Sequence, residues 1–598
     1  MNRATLARRY GPLVAVIAIQ LLIIAAVPST GPDSQAVAAG ATGDGPGGFI
    51  PGPEEGTFID PTTGQIITAD GTVVGTVGGG GAAGSGGAPA GGAAAPGGAG
   101  GAGGAGGAAA AAAGSTAHCV DGRQYDPAFY YYAPICVPKF AGDNGGATYQ
   151  GVTKDTIKIV LYLGNNGPAI DALLDAQGSN PAPADRQRLN AAAAKVISDK
   201  YELYGRKLEI KEWEGQCAAV PPDYPCLRNE MRQLVQKEKP FAVLWRTPLA
   251  SPAFDELSAL KVLNLGGWHF REVFNNQRRP YHWDITMSGD DIMQMAGEWW
   301  CKRMHGGKAR YAGETGNGEG QNPASNDIRN KTRVLGVIST DDPENKLAVN
   351  ILKEQLAKCG AKVEHEFYYS QDITRAEEQR RLSVAKMREA PESTSVMCFC
   401  DLVAPIFLYQ TAEEQGWYPE HIMIGSGFMD ADAAAQAYDH TLPPEGHQFE
   451  NAFGLSSIAA QVSRGKDAAT RVWKAGGNQG EIPRSYSSSP LDWEYFGMLA
   501  SMIQGAGPKL TPAAVEAGAF RQPPRGGAAQ TTDIFLNRRS FSPGDYAWND
   551  DMREVYWSTT KPSTYNQEPG YYVTLNNGVR FMQGQFPSGP FTIPEKPR

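Results

Sequence analysis

The chain of 598 residues is predicted to fold as an α/β protein of two lobes, carried on an N-terminal apolar segment and a Gly/Ala-rich linker. Three observations predict it. From residue 151 onward short β-rich runs alternate with helical stretches, and the series runs through twice, which is the pattern of parallel sheets covered by helices on both faces. Glycine is abundant, 72 residues, and about 29 of them fall between Gly31 and His118. The chain opens with Arg3, Arg8 and Arg9, then runs without charge from Tyr10 to Pro32 around an apolar heart from Leu13 to Val27.

In chain order, positive residues before an apolar run mark residues 1–30 as an export signal or signal anchor. The run is at the short end of the roughly 17 to 25 residues that span a bilayer core. Ala36-Val37-Ala38 offers a cleavage site, but it lies far beyond the run. An uncleaved single-pass anchor is favoured over a cleaved secretory signal, and both place the remainder outside the cytoplasm. No Cys precedes Cys119, so no lipid-modified cysteine is available. Residues 31–118 read as a disordered tether. From Gly78 to Ala113 only Ser85, Pro89 and Pro96 are neither Gly nor Ala, which leaves little apolar area to offset roughly 1 to 2 kcal/mol of backbone entropy per residue.

Residues 119–150 form a disulfide-containing lead-in, with Cys119 and Cys136 bracketing it. The first lobe is expected over 151–285, with strands over 156–163, 207–213, 241–244 and 262–265 and helices over 185–204, 227–238 and 252–260. The second lobe is expected over 286–450. Its helices are placed at 290–304, 346–359, 374–389 and 405–415, and its strands at 334–339, 363–368, 396–400 and 421–424. The remainder, 451–598, reads as return segments with a long helix over 488–505 and a small β extension over 554–583.

Net charge is -9 with a pI near 5.6, and no dense Lys/Arg block occurs, which excludes nucleic acid as a partner. Eight cysteines in an exported chain point to disulfides. Cys217 and Cys226 bracket a Pro-rich loop, and Cys301 with Cys359 could join two helix ends. Cys398 and Cys400 stand two apart on a strand, judged poor geometry for pairing with each other. No Cys-x2-Cys or His-x3-His spacing accompanies them, so no metal and no cofactor is expected. Enzyme signatures are missing too: there is no Gly-x-Ser-x-Gly elbow, P-loop or His-Glu-x-x-His.

Several segments carry a specific resemblance. Gly-Val-Thr-Lys-Asp-Thr-Ile-Lys-Ile from Gly151, Pro252-Ala253 with the later Lys-Val-Leu-Asn-Leu from Lys261, Tyr-His-Trp-Asp-Ile-Thr-Met-Ser-Gly-Asp-Asp from Tyr281, and Arg-Val-Leu-Gly-Val-Ile-Ser-Thr-Asp-Asp from Arg333 follow one another in order. They resemble the type 1 periplasmic binding proteins of branched-chain amino-acid ABC transporters, and Asp-Met-Arg-Glu-Val-Tyr-Trp from Asp551 is similar to the C-terminal segment of exported members. The resemblance implies two Rossmann-like parallel-sheet lobes joined by a hinge, a small molecule captured between them, and an ABC permease as partner. It also implies a chain that binds and does not catalyse. The family's small Ser/Thr carboxylate clamp is replaced here by Trp245-Arg246-Thr247 and Trp268-His269-Phe270, where only Thr247 keeps a hydroxyl, and the family's Tyr-Gly by Asp341-Asp342-Pro343-Glu344.

Ligands of such folds bind outside the carboxyl ends of the strands. That places Asn165, Asn166, Trp245, Arg246, Thr247, Trp268, His269, Asp341, Asp342, Asp401 and Phe428 at the cleft. Arg246 suits a ligand carboxylate by a bidentate pair, or a neighbouring acidic side chain. Trp245 and Trp268 suit an apolar or aromatic ligand, or plain packing. Asp341 and Asp401 suit a polar or cationic group, or the caps of the following helices. The expected ligand is apolar, aromatic or carboxylate-bearing. The alternative function is a non-transport receptor or cell-envelope interaction protein on the same fold.

Overall fold

The structure is a computed structural model that describes residues 50–51, 57–59, 65–68, 73–76, 119–120, 123–124 and 134–596, apart from 168–170, 172–180, 220–221, 247–250, 268, 314–327, 373–374, 402–403, 426–428, 441–447, 461–464, 466, 484–490 and 528–536. The apolar segment of residues 1–30 and the Gly/Ala run over 78–113 lie outside the described residues. Among the described residues no helix is long and apolar enough to cross a membrane.

Ile23–Gly106 form a unit of their own. It carries an antiparallel sheet of strands β1 (Ile50–Pro51), β2 (Thr57–Ile59), β3 (Gln65–Thr68) and β4 (Val73–Thr76), in that order. The sequence placed these residues in a disordered tether. Averaging over the glycines hid two β-branched runs, Thr-Phe-Ile and Gln-Ile-Ile-Thr, parted in sequence by residues of the types that hairpin connections favour.

In the larger unit a short pair, β5 (Cys119–Val120) and β6 (Arg123–Gln124), precedes the first sheet. That sheet comprises β7 (Thr156–Asn165), β8 (Lys207–Ala218), β9 (Ala242–Trp245), β10 (Leu263–Leu265) and β11 (His282–Trp283). All pairings are parallel, in the order β11-β10-β9-β7-β8. The central β9 is buried at every residue, whereas the charged edge strand β8 is mostly half-buried or exposed. This contrast is expected of a sheet covered on both faces, with its edge guarded by Lys and Glu.

Helix α1 (Pro183–Lys200) covers one face, and α2 (Tyr224–Glu238), α3 (Ser251–Ala259) and α4 (Glu272–Gln277) lie on the other. Asp223 caps α2 by accepting from the Cys226 N–H, a helix start of the usual chemistry.

The second sheet holds parallel strands β12 (Leu335–Thr340), β13 (Val363–Tyr369), β14 (Ser395–Phe399), β15 (Glu420–Ile424) and β16 (Ala452–Ser456). Around it lie α5 (Gly289–Trp299), which continues as a π turn over Trp300–Met304, then α6 (Pro343–Ala357), α7 (Ala376–Met387), α8 (Ala404–Glu414) and α9 (Asp432–His440). Its order, β13-β12-β14-β15-β16, repeats that of the first sheet: in each, the second strand lies outside the first and the third on its other side.

After β16 the chain leaves this sheet. Helices α10 (Ala468–Ala475), α11 (Leu491–Ala506) and α12 (Pro512–Phe520) bury Trp473, Phe496, Leu499 and Val515 in the core of the first sheet. The chain then returns as β17 (Met552–Pro562), β18 (Pro569–Thr574) and β19 (Arg580–Phe581), which extend the second sheet antiparallel. These strands, read from the sequence as a small β extension, extend the second sheet.

The chain thus crosses between lobes three times, after β11, after β16 and over residues 545–551 ahead of β17. The first and third crossings pair: the Asp284 N–H donates to the Tyr546 carbonyl (2.9 Å) and the Trp548 N–H to the Asp284 carbonyl (3.0 Å).

Disulfides join Cys217 to Cys226 and Cys301 to Cys359, as the spacing suggested. Cys136 is disulfide-bonded as well. Cys398 and Cys400 pair with each other, against expectation. Two residues apart on one face, they have Cα atoms 5.2 Å apart, inside the bridging range, and Cys400 lies beyond the end of β14, where no ladder holds it.

Candidate ligand-binding cleft

In an open parallel sheet of this order, the crevice lies where neighbouring connections run to opposite faces, between the first and third strands at their carboxyl ends. In the first lobe that point is β7 beside β9. The Arg246 N–H bonds the Tyr162 carbonyl (3.2 Å) and extends the ladder by one residue, so Arg246 leaves the sheet at the switch point, half-buried. Asn165 ends β7 and is exposed, donating to the Gln216 carbonyl (3.2 Å) and accepting from the Gly167 N–H (3.0 Å). Asn166 reaches Asp171 (3.4 Å).

Trp245 takes the packing place that stood as its alternative. It is 1 % exposed and stacks on Tyr162 with ring centroids 4.0 Å apart, packed also against Phe254. As the last strand residue it shares the face of Val243 within the α2–α3 core, so it forms the floor beneath the crevice and not its wall.

What holds this floor is Glu230 of α2, which no sequence motif marked. Its buried carboxylate accepts from the Tyr162 hydroxyl (2.8 Å), the Trp213 indole N–H (3.0 Å), and the N–H groups of Gln216 (2.9 Å) and Cys217 (3.3 Å). Burial and the Glu230 charge push the Tyr162 hydroxyl far above its ordinary range.

His269 follows β10 in a left-handed conformation (φ 58°) and is buried. Its Nδ1 lies 2.7 Å from the Met287 carbonyl, so that nitrogen carries the proton. Its N–H bonds Thr286 Oγ1 (3.2 Å), and that hydroxyl donates to Asp284 (2.7 Å). Gly267 beside it has φ 93°, and a β-carbon there would sit 2.7 Å from the Phe270 ring. The loop is thereby locked to the first crossing, with the His269 ring 6.2 Å from Phe399 at the end of β14.

The second lobe's switch point lies between β12 and β14 and presents Asp341 and Asp401. Asp341 is exposed, its N–H bonding the Tyr369 carbonyl (2.7 Å). Asp342 caps α6, accepting from the Glu344 N–H (2.8 Å). Burial raises its carboxyl above the usual range. Asp401 caps α8 through the Ala404 N–H (2.9 Å), while its own N–H bonds the Tyr369 hydroxyl (2.8 Å). Asp401 thus does the capping work foreseen as its alternative, whereas at α6 the cap is Asp342 and not Asp341. Thr247, Trp268 and Phe428 lie outside the described residues.

The two sets of strand ends face each other. Tyr224, at the start of α2 and 41 % exposed, has its phenol pushed up by burial and then by the charges of Asp342 and Asp341. The Glu344 carboxyl is raised by burial and drawn back by Arg271 of the first lobe. The start of α2 and the α6 N-terminus therefore lie near enough for their charges to act on each other, a juxtaposition that residue types could not reveal. One side carries Arg246 and amides, the other carboxylates. Among the described residues no group of three His, Cys, Asp or Glu could hold a metal ion.

No family model and no curated protein matches the chain. Solved structures do. A branched-chain amino-acid ABC transporter protein of Thermus thermophilus with bound valine is similar at 10% identity and a TM-score of 0.48, over 72% of this chain and 97% of that one. An ABC-transporter solute-binding protein of R. palustris in complex with 4-hydroxybenzoate gives 13% and 0.46, over 72% and 99%. A possible leucine/isoleucine/valine-binding protein from Rhodopirellula baltica gives 10% and 0.46, over 70% and 96%. Strand order and the three crossings, which stand without these likenesses, define the class: a two-lobed fold of the type 1 periplasmic-binding-protein kind.

Proposed function

We propose that the chain is an extracytoplasmic solute-binding protein that closes its two lobes on a small carboxylate-bearing molecule and delivers it to an ABC permease, tethered to the membrane through its N-terminal segment. The observation that supports this reading is the pair of equivalent switch points, the end of β9 followed by Arg246 in one lobe and the ends of β12 and β14 followed by Asp341 and Asp401 in the other. Arg246 takes the ligand carboxylate by two parallel hydrogen bonds. Asn165 and Asn166 supply amides at the end of β7, and the carboxylates of the second lobe take a polar or cationic group. Ligand contacts to both lobes favour the closed form by the difference between its affinities for closed and open states.

The test is a thermal-shift screen of the full chain against amino acids, aromatic acids and steroid-like compounds. A ligand at 100 times its dissociation constant adds about 2.7 kcal/mol of stability. A carboxylic acid is expected to raise the melting temperature, and Arg246→Ala to weaken its binding by about ten- to a hundredfold, the worth of a charge-assisted contact. If no compound shifts melting, or if Arg246→Ala binds as tightly as the parent, the reading fails.

A further inference from the structure

The crossings concentrate carboxyl groups that ligand binding does not use. Glu272, at the start of α4, accepts the Tyr546 N–H of the third crossing through Oε2 (3.2 Å), while its buried Oε1 has no hydrogen-bond partner among the described residues. Asp545 precedes Tyr546 and accepts from the Ala547 N–H (3.3 Å). Asp550 accepts from the Ser540 hydroxyl and lies 3.3 Å from Arg538. Asp284, fully buried, is the residue that Tyr546 and Trp548 pair with.

The groups facing this set are mostly acidic. Glu272 meets Asp545 from the third crossing, Asp291 from α5 and Asp284 from the end of β11. Asp545 meets Asp291, and Asp550 meets Asp545 and Asp551. The nearby cations are largely committed: Arg271 to Asp290 (2.9 Å) and Arg580 to Asp551 (2.8 Å). Arg538 reaches Asp550 alone, and Arg279 acts on Tyr546, whose hydroxyl donates to Glu516.

We propose that this hinge is locked by protons: Glu272, which accepts the Tyr546 N–H while its other buried oxygen has no partner among the described residues, and Asp545 next to Tyr546 are neutral at the contact of the first and third crossings, and their ionisation as pH rises loosens the pairing of Asp284 with Tyr546 and Trp548. The device needs only the two-lobed architecture and does not depend on the ligand. Burial first, then the neighbouring carboxylates, push Glu272 up to about 9 and Asp545 to about 7. Burial, opposed by the Ser540 hydrogen bond, still leaves Asp550 raised to about 8. Between its ordinary and its raised value, such a group holds a proton in the folded chain that the unfolded chain has released, so stability falls as pH rises through that interval. Buried His282 and His421 have folded values lowered by burial to about 3 and about 4. On unfolding they take up protons mainly below about pH 7, so they add stability as pH rises, opposite in sign to the fall expected from the hinge carboxyls.

Melting of the full chain at pH 6.5 and pH 8, at matched ionic strength, reads this directly. The parent is expected to melt about 2 to 4 °C lower at pH 8. In Glu272→Gln, and separately in Asp545→Asn, that fall is expected to shrink to about half or less. Hydrogen exchange at the Tyr546 and Trp548 amides, corrected for intrinsic rate, is expected to lose protection over the same interval in the parent and less in the variants. A parent whose melting is flat or rises with pH, or variants that fall as far as the parent, would overturn the proposal.

Discussion

Glu230 is the most informative residue to perturb, because one carboxylate holds four donors from two strands, β7 and β8. In Glu230→Ala the Tyr162 hydroxyl, the Trp213 indole N–H and the amides of Gln216 and Cys217 lose their acceptor inside the protein. Hydrogen bonds to a charged group are worth about 1.5 to 3 kcal/mol each, and a buried donor left unpaired costs about 1 to 3. Partial rehydration at the half-buried Trp213 and the exposed Gln216 reduces the sum, so about 3 to 5 kcal/mol is expected, the range for breaking a buried charged network.

Glu230→Gln keeps the volume but offers one acceptor oxygen, and about 2 to 3 kcal/mol is expected. The assay is urea unfolding followed by tryptophan fluorescence, with near-ultraviolet circular dichroism reporting the Tyr162–Trp245 stack. Tyr162→Phe alone and combined with Glu230→Gln closes a double-mutant cycle, and a coupling of at least about 1 kcal/mol is expected between groups in direct contact. A loss below about 1 kcal/mol in Glu230→Ala, with the dichroism unchanged, would refute the floor as described.

Loop length ranks the disulfides. Cys301–Cys359 closes 58 residues and Cys217–Cys226 closes 9, so replacing each pair by serine is expected to cost about 4 and about 3 kcal/mol respectively, checked by chemical denaturation; the reverse ranking would count against the chain-entropy argument. In the second lobe, Glu420 is fully buried and accepts from Arg333 at 2.7 and 2.9 Å as well as from Ser395 and the Tyr311 N–H. Arg333→Met is expected to cost about 3 to 5 kcal/mol by stranding that carboxylate, and a cost under about 1 kcal/mol by the same assay would show that the pair is not holding the sheet.

The parallel strands were legible because buried strands of α/β proteins are runs of β-branched and aromatic residues bounded by turns; β7, β9, β12, β14 and β15 all read that way. The misses were elements too short or too small-residued to show a period. β11 is two residues, β16 reads Ala-Phe-Gly-Leu-Ser, and α9 is mostly Ala and Asp. The sites were less legible than the strands. Arg246 was singled out because a guanidinium directly after a buried strand suits a carboxylate, whether of a ligand or of a neighbouring side chain. Trp245 was misplaced because four consecutive buried positions show no alternation, so the sequence could not separate the last strand residue from the first loop residue. Glu230 and Tyr224 act through contacts between elements, and neither spacing nor residue type signals those.

The account's central claim is that the lobes close on a ligand between Arg246 and the carboxylates of the second lobe. Small-angle scattering of the chain from residue 119 onward, with and without a carboxylic acid that raises its melting temperature, tests it most directly. A radius of gyration that shrinks on binding in the parent, and does not in Arg246→Ala at the same ligand concentration, is the predicted result. Profiles that superimpose with and without bound ligand would contradict it.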